Sequence, residues 1–155
     1  MMKKNELALL AHLRRNARET LTKISRETRM PVSTIFDRLK KYDNDIIKKS
    51  TVLLDFAKLG YNTRVTLMLR VPKHQRDKLR DFLIKENRVN SFSKINNNFD
   101  FLLECIFKSM HEFQDFIECL EEKFDIRDKQ IYYILDDIKK EDFMSNPNSP
   151  ALAIG

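Results

Sequence analysis

Residues 20–42, TLTKISRETRMPVSTIFDRLKKY, contain two short amphipathic segments separated by a proline. Thr20 can accept a hydrogen bond from a free N–H of the turn that follows it, so the first segment is predicted to be a helix capped by Thr20. In the second segment, apolar residues recur at intervals of four and three, which predicts a helix over residues 32–42. Pro31 disfavours helical geometry at the residue before it and separates the two helices. Two short helices joined by a tight turn form a helix-turn-helix.

The flanking residues extend this unit in both directions. Leucines at helical spacing predict a first helix over residues 6–15. After the helix-turn-helix, residues 46–49 and 52–54 are rich in strand-forming side chains, with Ser50-Thr51 near a turn. A hairpin there would be the wing, so residues 1–55 are predicted to form a winged helix-turn-helix DNA-binding domain.

The rest of the chain shows a regular β-α-β-β-α-β order of periodicities, which is that of a ferredoxin-like domain. We therefore predict an α+β protein, with an N-terminal winged helix-turn-helix followed by a C-terminal ferredoxin-like βαββαβ domain. Both helices of such a domain pack on one face of the sheet, and a second chain is expected to cover the other face. The predicted strands span residues 63–71, 90–95, 99–107 and 131–138, and the predicted helices span residues 73–86 and 113–120.

The predicted domain boundaries follow from composition. A glycine-containing stretch over residues 56–62 is predicted to be a linker. The dimerisation and effector domain then covers residues 63–140. Residues 141–155 are rich in Asn, Ser and Pro and are predicted to form a flexible tail.

Charge is unevenly distributed along the chain. Residues 1–50 hold 13 Lys/Arg and 6 Asp/Glu, a net charge of +7, and the remaining residues hold 16 and 17, a net charge of −1. This asymmetry indicates a module that meets a polyanion, although a solvated lysine-rich surface is an equal alternative on charge alone.

No apolar run approaches the roughly 18 residues of a membrane span, and no signal peptide is recognisable, so a cytoplasmic protein is expected. Cys105 and Cys119 lack metal-site spacing and are expected to be ordinary thiols.

Several local sequences, in this order and spacing, resemble the Lrp/AsnC (feast/famine) family of transcriptional regulators. The resemblance covers nearly the whole chain, and it implies DNA binding by a homodimer or an octamer. Amino-acid effectors are also implied. The matching stretches are NAR at 16–18, VSTIFDRL at 32–39, residues 46–60 with their Leu-Gly ending, and FDFLL at 99–103.

The DNA-contacting residues are predicted from the outward face of the helix over 32–42. A helix that enters the major groove needs one buried stripe and one polar or basic face. Serine and threonine in the first turn would reach base edges or phosphates, arginine a guanine or a phosphate, and the lysines phosphates. The aspartate would orient the arginine or accept from a cytosine amino group, and a purely solvated face is the alternative. The predicted residues are Ser33, Thr34, Asp37, Arg38, Lys40 and Lys41 on the helix and Lys48 and Lys49 on the wing.

The resemblance also implies an effector loop, for which we predict contacts from Asn97, Asn98 and Asp100. The family's Gly-x-aromatic-Asp loop appears here as Asn97-Asn98-Phe99-Asp100. A side chain in place of glycine stands where backbone would approach a ligand, so leucine is not supported as the effector. Asparagine favours a turn at this point because it tolerates left-handed geometry.

The sequence favours a binding protein over an enzyme. His12, His74 and His111 have no carboxylate or thiol at a useful spacing, and two glycines in total leave little room for nucleotide-cradling loops. No catalytic residue, metal site or cofactor is predicted. Two alternatives remain open: an enzyme similar to sirohaem decarboxylases on the same fold, and an architectural chromatin protein with low sequence specificity.

Overall fold

The computed structural model describes residues 2–149 and divides into two compact units. One unit holds the chain up to Leu53 together with the segment from Ile138 onward, and the other is Leu54–Asp137. The part of the predicted tail over residues 150–155 lies outside the described residues. Within the first unit, the guanidinium of Arg14 donates to the backbone oxygen of Phe143 at 3.1 Å and to the Glu141 carboxylate at 3.1 Å. The flexibility of the tail stays a prediction.

The first unit is built on three helices, α1 (Lys4–Arg15), α2 (Leu21–Thr28) and α3 (Val32–Tyr42). The bounds of α3 are those predicted from sequence, and the predicted cap at Thr20 is present because its hydroxyl accepts from the Lys23 N–H at 3.3 Å. One apolar stripe of each helix contributes to a shared core, and Met30 fills the turn between α2 and α3. The buried core residues are Leu9, Ile24, Met30, Ile35 and Tyr42.

The predicted wing hairpin is wrong. Within residues 2–149, the segment after α3 forms only an isolated bridge between Asp43 and Ile47, and residues 48–55 belong to no strand. The reason lies in a tight turn directly after α3. Asn44 has a left-handed φ of 63°, and the Ile47 N–H donates to the Tyr42 carbonyl at 2.9 Å. This turn uses the residues that would begin the first strand, and a lone two-stranded hairpin is only marginally stable in water.

The second unit is a four-stranded antiparallel sheet with the strand order β2-β3-β1-β4. This is the predicted ferredoxin-like arrangement, in which each helix connects strands that are not neighbours in the sheet. The fold class is therefore confirmed. The elements are β1 (Thr63–Arg70), α4 (Arg76–Ile84), β2 (Val89–Lys94), β3 (Phe101–Phe107), α5 (Met110–Lys123) and β4 (Asp128–Tyr133).

The two faces of this sheet differ. Along β1 burial alternates strictly, and Val65, Leu67 and Leu69 point towards the helices. They form one core with apolar side chains of α4 and α5, and each such buried leucine or phenylalanine contributes about 1.5–3 kcal/mol to folding. The opposite face, which we call the open face, carries Met68 paired in register with Leu102 and Thr66 paired with Tyr132.

The last strand is shorter than its apolar pattern predicts. It ends at Tyr133, whereas the prediction ran to residue 138. The last backbone bond of the ladder runs from the Ile134 N–H to the Arg64 carbonyl at 2.9 Å. In this register Thr63, the first residue of β1, would face position 135, so β1 offers no partner to residues 136–138. Among the residues beyond Ile134, Leu135 is 94% exposed.

Within the described residues, no helix combines the length and the apolar character that crossing a bilayer requires.

Candidate nucleic-acid interface and effector loop

The outward face of α3 carries most of the predicted DNA-contacting side chains. Ser33, Asp37, Lys40 and Lys41 are all exposed, and Thr34 in the first turn is partly buried. The face is presented rigidly, because Ile35 and Tyr42 on the opposite side are buried in the helical core. A basic helical face fixed in this way can lie along a polyanion.

Arg38 is held by a different residue from the one predicted. Its Nε lies 3.1 Å from a carboxylate oxygen of Glu6 on α1, and Glu6 is buried. The expectation that Asp37 orients Arg38 is therefore wrong: the fold brings Glu6 of α1, and not the sequence neighbour Asp37, to the guanidinium. The pKa of Glu6 is lowered chiefly by the hydrogen bond from the Lys3 backbone N–H, and burial opposes this while Arg38 adds to it.

Lys48 and Lys49 are exposed, as predicted, but they lie in a segment without regular secondary structure and not in a hairpin. No strand pairing therefore fixes the positions of these two lysines relative to α3. Their charge remains available to a polyanion, since neither side chain forms an ion pair with another residue in the range 2–149.

An ion cluster surrounds His12, although its neighbours in sequence predict no carboxylate contact. The imidazole is buried, with Nδ1 2.9 Å from Glu19 and Nε2 3.4 Å from Glu27. Glu19 also contacts Lys23 at 2.6 Å and Arg15 at 3.3 Å. The hydrogen bond from Lys23 is the largest cause that lowers the pKa of Glu19 to about 2, burial opposes it, and His12 contributes next.

This cluster links α1 to the residues before α2 through Glu19 and to the last turn of α2 through Glu27. Among residues 2–149, His12, Glu19 and Glu27 form the one group of potential metal ligands whose donor atoms lie within 4.8 Å of one another. However, the two imidazole nitrogens face different carboxylates, and the Lys23 ammonium forms an ion pair with the Glu19 carboxylate. The three potential ligands therefore do not converge on one open position. This arrangement suits an ion network that supports the helical core, buried at His12 and at the Glu19 side chain and exposed to solvent at Glu27 and Lys23. The Glu residues lie seven and fifteen positions from His12, separations that no local sequence pattern would flag.

The predicted effector residues divide into two kinds. Asn97 and Asn98 are exposed and have left-handed φ values of 65° and 71°, so the predicted asparagine turn is present. Asp100 is buried, and its carboxylate accepts from the Val71 N–H at 2.9 Å and pairs with Arg76 Nε at 2.7 Å. Its structural role is to tie the loop to the end of β1 and to α4.

Among residues 2–149, the other histidines and the cysteines join no cluster of three or more potential donor side chains. His74 and His111 are exposed, and His111 lies 3.9 Å from Asp115 on the same helix. Both cysteines are free, and burial raises the pKa of the Cys105 thiol to about 12. An open cavity of about 410 Å³ lies between α4 and β2, lined in part by Ile84 and Phe92, and none of the predicted effector residues lines it.

Comparison with known proteins places these features in a family. The model of the Lrp/AsnC ligand-binding domain matches residues 64–143. An HTH-type transcriptional regulator of Pyrococcus horikoshii, PH1692, is 22% identical over 140 residues, which cover 90% of this chain and 94% of that protein. The glutamate uptake regulatory protein of Zymomonas mobilis is 23% identical over 148 residues, 93% of this chain and 90% of that protein.

Solved structures show the same fold over both units. The transcriptional regulator NMB0573 of Neisseria meningitidis, solved as a complex with L-Met, superposes with a TM-score of 0.82 at 22% identity and covers 90% of this chain and 94% of its own. AsnC of E. coli superposes with a TM-score of 0.79 at 15% identity, over 90% of this chain and 96% of its own. At these identities the structural likeness establishes the fold alone. The family match over more than half of the chain shows that this protein belongs to the Lrp/AsnC family of transcriptional regulators.

Proposed function

We propose that this protein is a transcriptional regulator that binds double-stranded DNA by placing α3 in the major groove, with the basic segment after α3 along the phosphates. The observation that carries the proposal is the outward face of α3, where Ser33, Lys40 and Lys41 project from a packed helix-turn-helix. This face lies in the stretch whose net charge is +7, while the rest of the chain is nearly neutral. Such a face gives sequence-independent affinity through phosphates and sequence choice through base edges.

The glutamate on α1 refines the role of Arg38 in this proposal. Glu6 lies 3.1 Å from Arg38, so it holds this arginine in one orientation and compensates its positive charge. Arg38 therefore contributes less to phosphate neutralisation than the exposed lysines do. We propose that Arg38 helps to position α3 at the edge of the groove. We assign phosphate neutralisation to the exposed lysines Lys40, Lys41, Lys48 and Lys49.

A homodimer is the proposed binding unit, formed through the open face of the sheet. Met68 and Leu102 lie in register on this face, and Tyr132 beside them is 52% exposed. Two copies that share this face would bury these side chains, and a two-fold axis would present two α3 helices to two half-sites about 34–36 Å apart.

A small-molecule effector is proposed to bind near the loop of Asn97 and Asn98. The matched family model is that of a ligand-binding domain, and the Neisseria regulator was solved with L-Met. In this chain the two asparagine side chains are exposed beside the fixed carboxylate of Asp100. A cytoplasmic location and a binding role without catalysis complete the proposal. The burial of His12, the one histidine held by two carboxylates among residues 2–149, keeps its ring away from a substrate and fits a structural role.

Selection of binding sites from random-sequence DNA tests the proposal, followed by affinity measurements on the selected and on scrambled duplexes at one stated salt concentration. We expect the selected duplex to bind about 10³-fold or more tightly than the scrambled one. The K40A/K41A variant should bind both duplexes more weakly while it unfolds at the same urea concentration. Equal binding to both duplexes would favour the architectural role, and an absence of binding to any duplex would refute DNA recognition.

A further inference from the structure

The outward face of α3 also carries two apolar side chains. Val32 is 42% exposed and Phe36 is 50% exposed, and they lie one helical turn apart beside Ser33 and Lys40. Neither belongs to the helical core, in which Ile35 and Tyr42 provide the buried stripe of the same helix. The Phe36 ring is nevertheless in a defined position, because the Lys40 ammonium lies 4.6 Å from its centroid.

A second copy of the chain and a nucleic acid are the two occupants that could cover this ring. Charge decides between them. The face is shared with Lys40 and Lys41 and lies in the stretch of net charge +7, so two such faces would repel each other. A polyanion is attracted to the same lysines, and its approach would bring the ring to the floor of the groove that α3 enters.

We propose that Phe36, supported by Val32, is a specificity-determining residue that recognises thymine through its 5-methyl group. This inference rests on the proposed binding of DNA by α3. In the major groove, thymine alone among the four bases presents an apolar group, and phenylalanine is one of the side chains suited to contact it. The exposed polar side chains Ser33, Lys40 and Lys41 offer hydroxyl and ammonium groups, and Thr34 is partly buried, so the exposed ring adds a base preference that they do not supply. Lys40, stacked on the ring, would hold its position while its ammonium meets the nearby phosphate.

Replacement of individual thymines by uracil in the selected duplex tests the inference, because uracil differs only by the absent methyl group. Wild-type protein should lose affinity about fourfold at one or two positions, which is the effect of one buried methyl group. The F36A variant should bind the thymine duplex more weakly and show no further loss when those positions carry uracil. K41A is the matched control, because Lys41 lies outside the ring contact: it should weaken binding overall and keep the thymine-to-uracil ratio of the wild type.

The outcomes separate the two levels of the proposal. If the wild type binds no duplex, both DNA recognition and this inference are overturned. If it binds the selected duplex but tolerates uracil at every position, or if F36A keeps the same thymine preference, this inference alone is overturned. A change in sedimentation of F36A with an unaltered thymine-to-uracil ratio would instead assign the ring to contact with a second copy. Circular dichroism and urea unfolding of F36A confirm that the half-exposed ring has been removed from a folded protein.

Discussion

Asp100 connects three parts of the sheet domain through one buried carboxylate, which accepts from the Val71 N–H and pairs with Arg76. We expect D100N to lower the free energy of unfolding by about 1–2 kcal/mol, because a charged hydrogen bond becomes a neutral one. D100A should cost more, since the buried Val71 N–H is then left without an acceptor. R76A should cost no more than about 1 kcal/mol, because this arginine is partly exposed.

Urea unfolding of the three variants, followed by circular dichroism, gives their ranking. A loss for R76A as large as that for D100A would show that the ion pair, and not the bond to the backbone, carries the effect. The same variants address effector binding: if Asp100 acts structurally, D100N retains any effect of a small molecule on DNA affinity once it is assayed in the folded state.

Glu19 makes the stability of the helical unit depend on acid. Its pKa in the folded protein is about 2, against an ordinary value of 4.5, so the unfolded chain binds a proton first as the pH falls. The stabilisation by Glu19 is therefore complete above pH 4.5 and is lost as the pH falls towards 2. E19Q should be less stable than the wild type at neutral pH and should lose less stability between these two pH values.

Urea midpoints measured across this range provide the comparison. E122Q is the control, because Glu122 is exposed on α5 and forms no ion pair with another residue in the described range. The urea midpoint of E122Q should fall with decreasing pH in the same way as that of the wild type. Parallel curves for E19Q and the wild type would show that the Lys23 and His12 contacts do not stabilise the folded state.

At the scale of elements, helices were predicted more accurately than the hairpin. The bounds of α3 follow from a periodicity that its own residues contain, and Pro31 marks where it begins. The wing required a pairing between two segments, and the turn around Asn44 removes the residues that would start the first strand. For the same reason β4 ends earlier than its apolar residues suggest, because the length of its neighbour β1 sets where the ladder stops.

The unpaired basic segment after α3 gives a prediction about salt. Lys48 is exposed and has no ion-pair partner among residues 2–149, so it can neutralise one phosphate. K48A should weaken binding to all duplexes alike and lower the slope of log affinity against log salt by about 1. K85A, which removes an exposed lysine at the end of α4, should leave the slope unchanged. An unaltered slope for K48A would exclude Lys48 from the phosphate contacts.

At the scale of the whole molecule, the two-domain order was predictable because each domain has its own periodicity and charge. The arrangement of the candidate site was predictable only in part. The exposed lysines of α3 follow from helical geometry, whereas the partner of Arg38 is thirty-two positions away on another helix. The cluster at His12 has the same character, because packing of α1 on α2 brings together side chains that are remote in sequence.

In the proposed dimer the open face of the sheet forms the interface. A substitution on this face therefore tests dimer formation separately from folding. M68E places a carboxylate beside Leu102, and two-fold symmetry introduces it twice into the interface. An unpaired buried charge costs about 3–5 kcal/mol, which weakens a dimer about 100-fold or more. I84E is the control, because Ile84 is 60% exposed on α4 and away from this face.

Sedimentation equilibrium should show a monomer for M68E and the wild-type assembly for I84E, with similar circular dichroism for both. On a duplex with two half-sites, M68E should bind only as tightly as it binds one half-site, because the two α3 helices are no longer linked. A dimeric M68E would place the interface elsewhere on the chain. A monomeric wild type would remove the need for two half-sites, and the thymine preference of a single α3 would then be measured on one half-site.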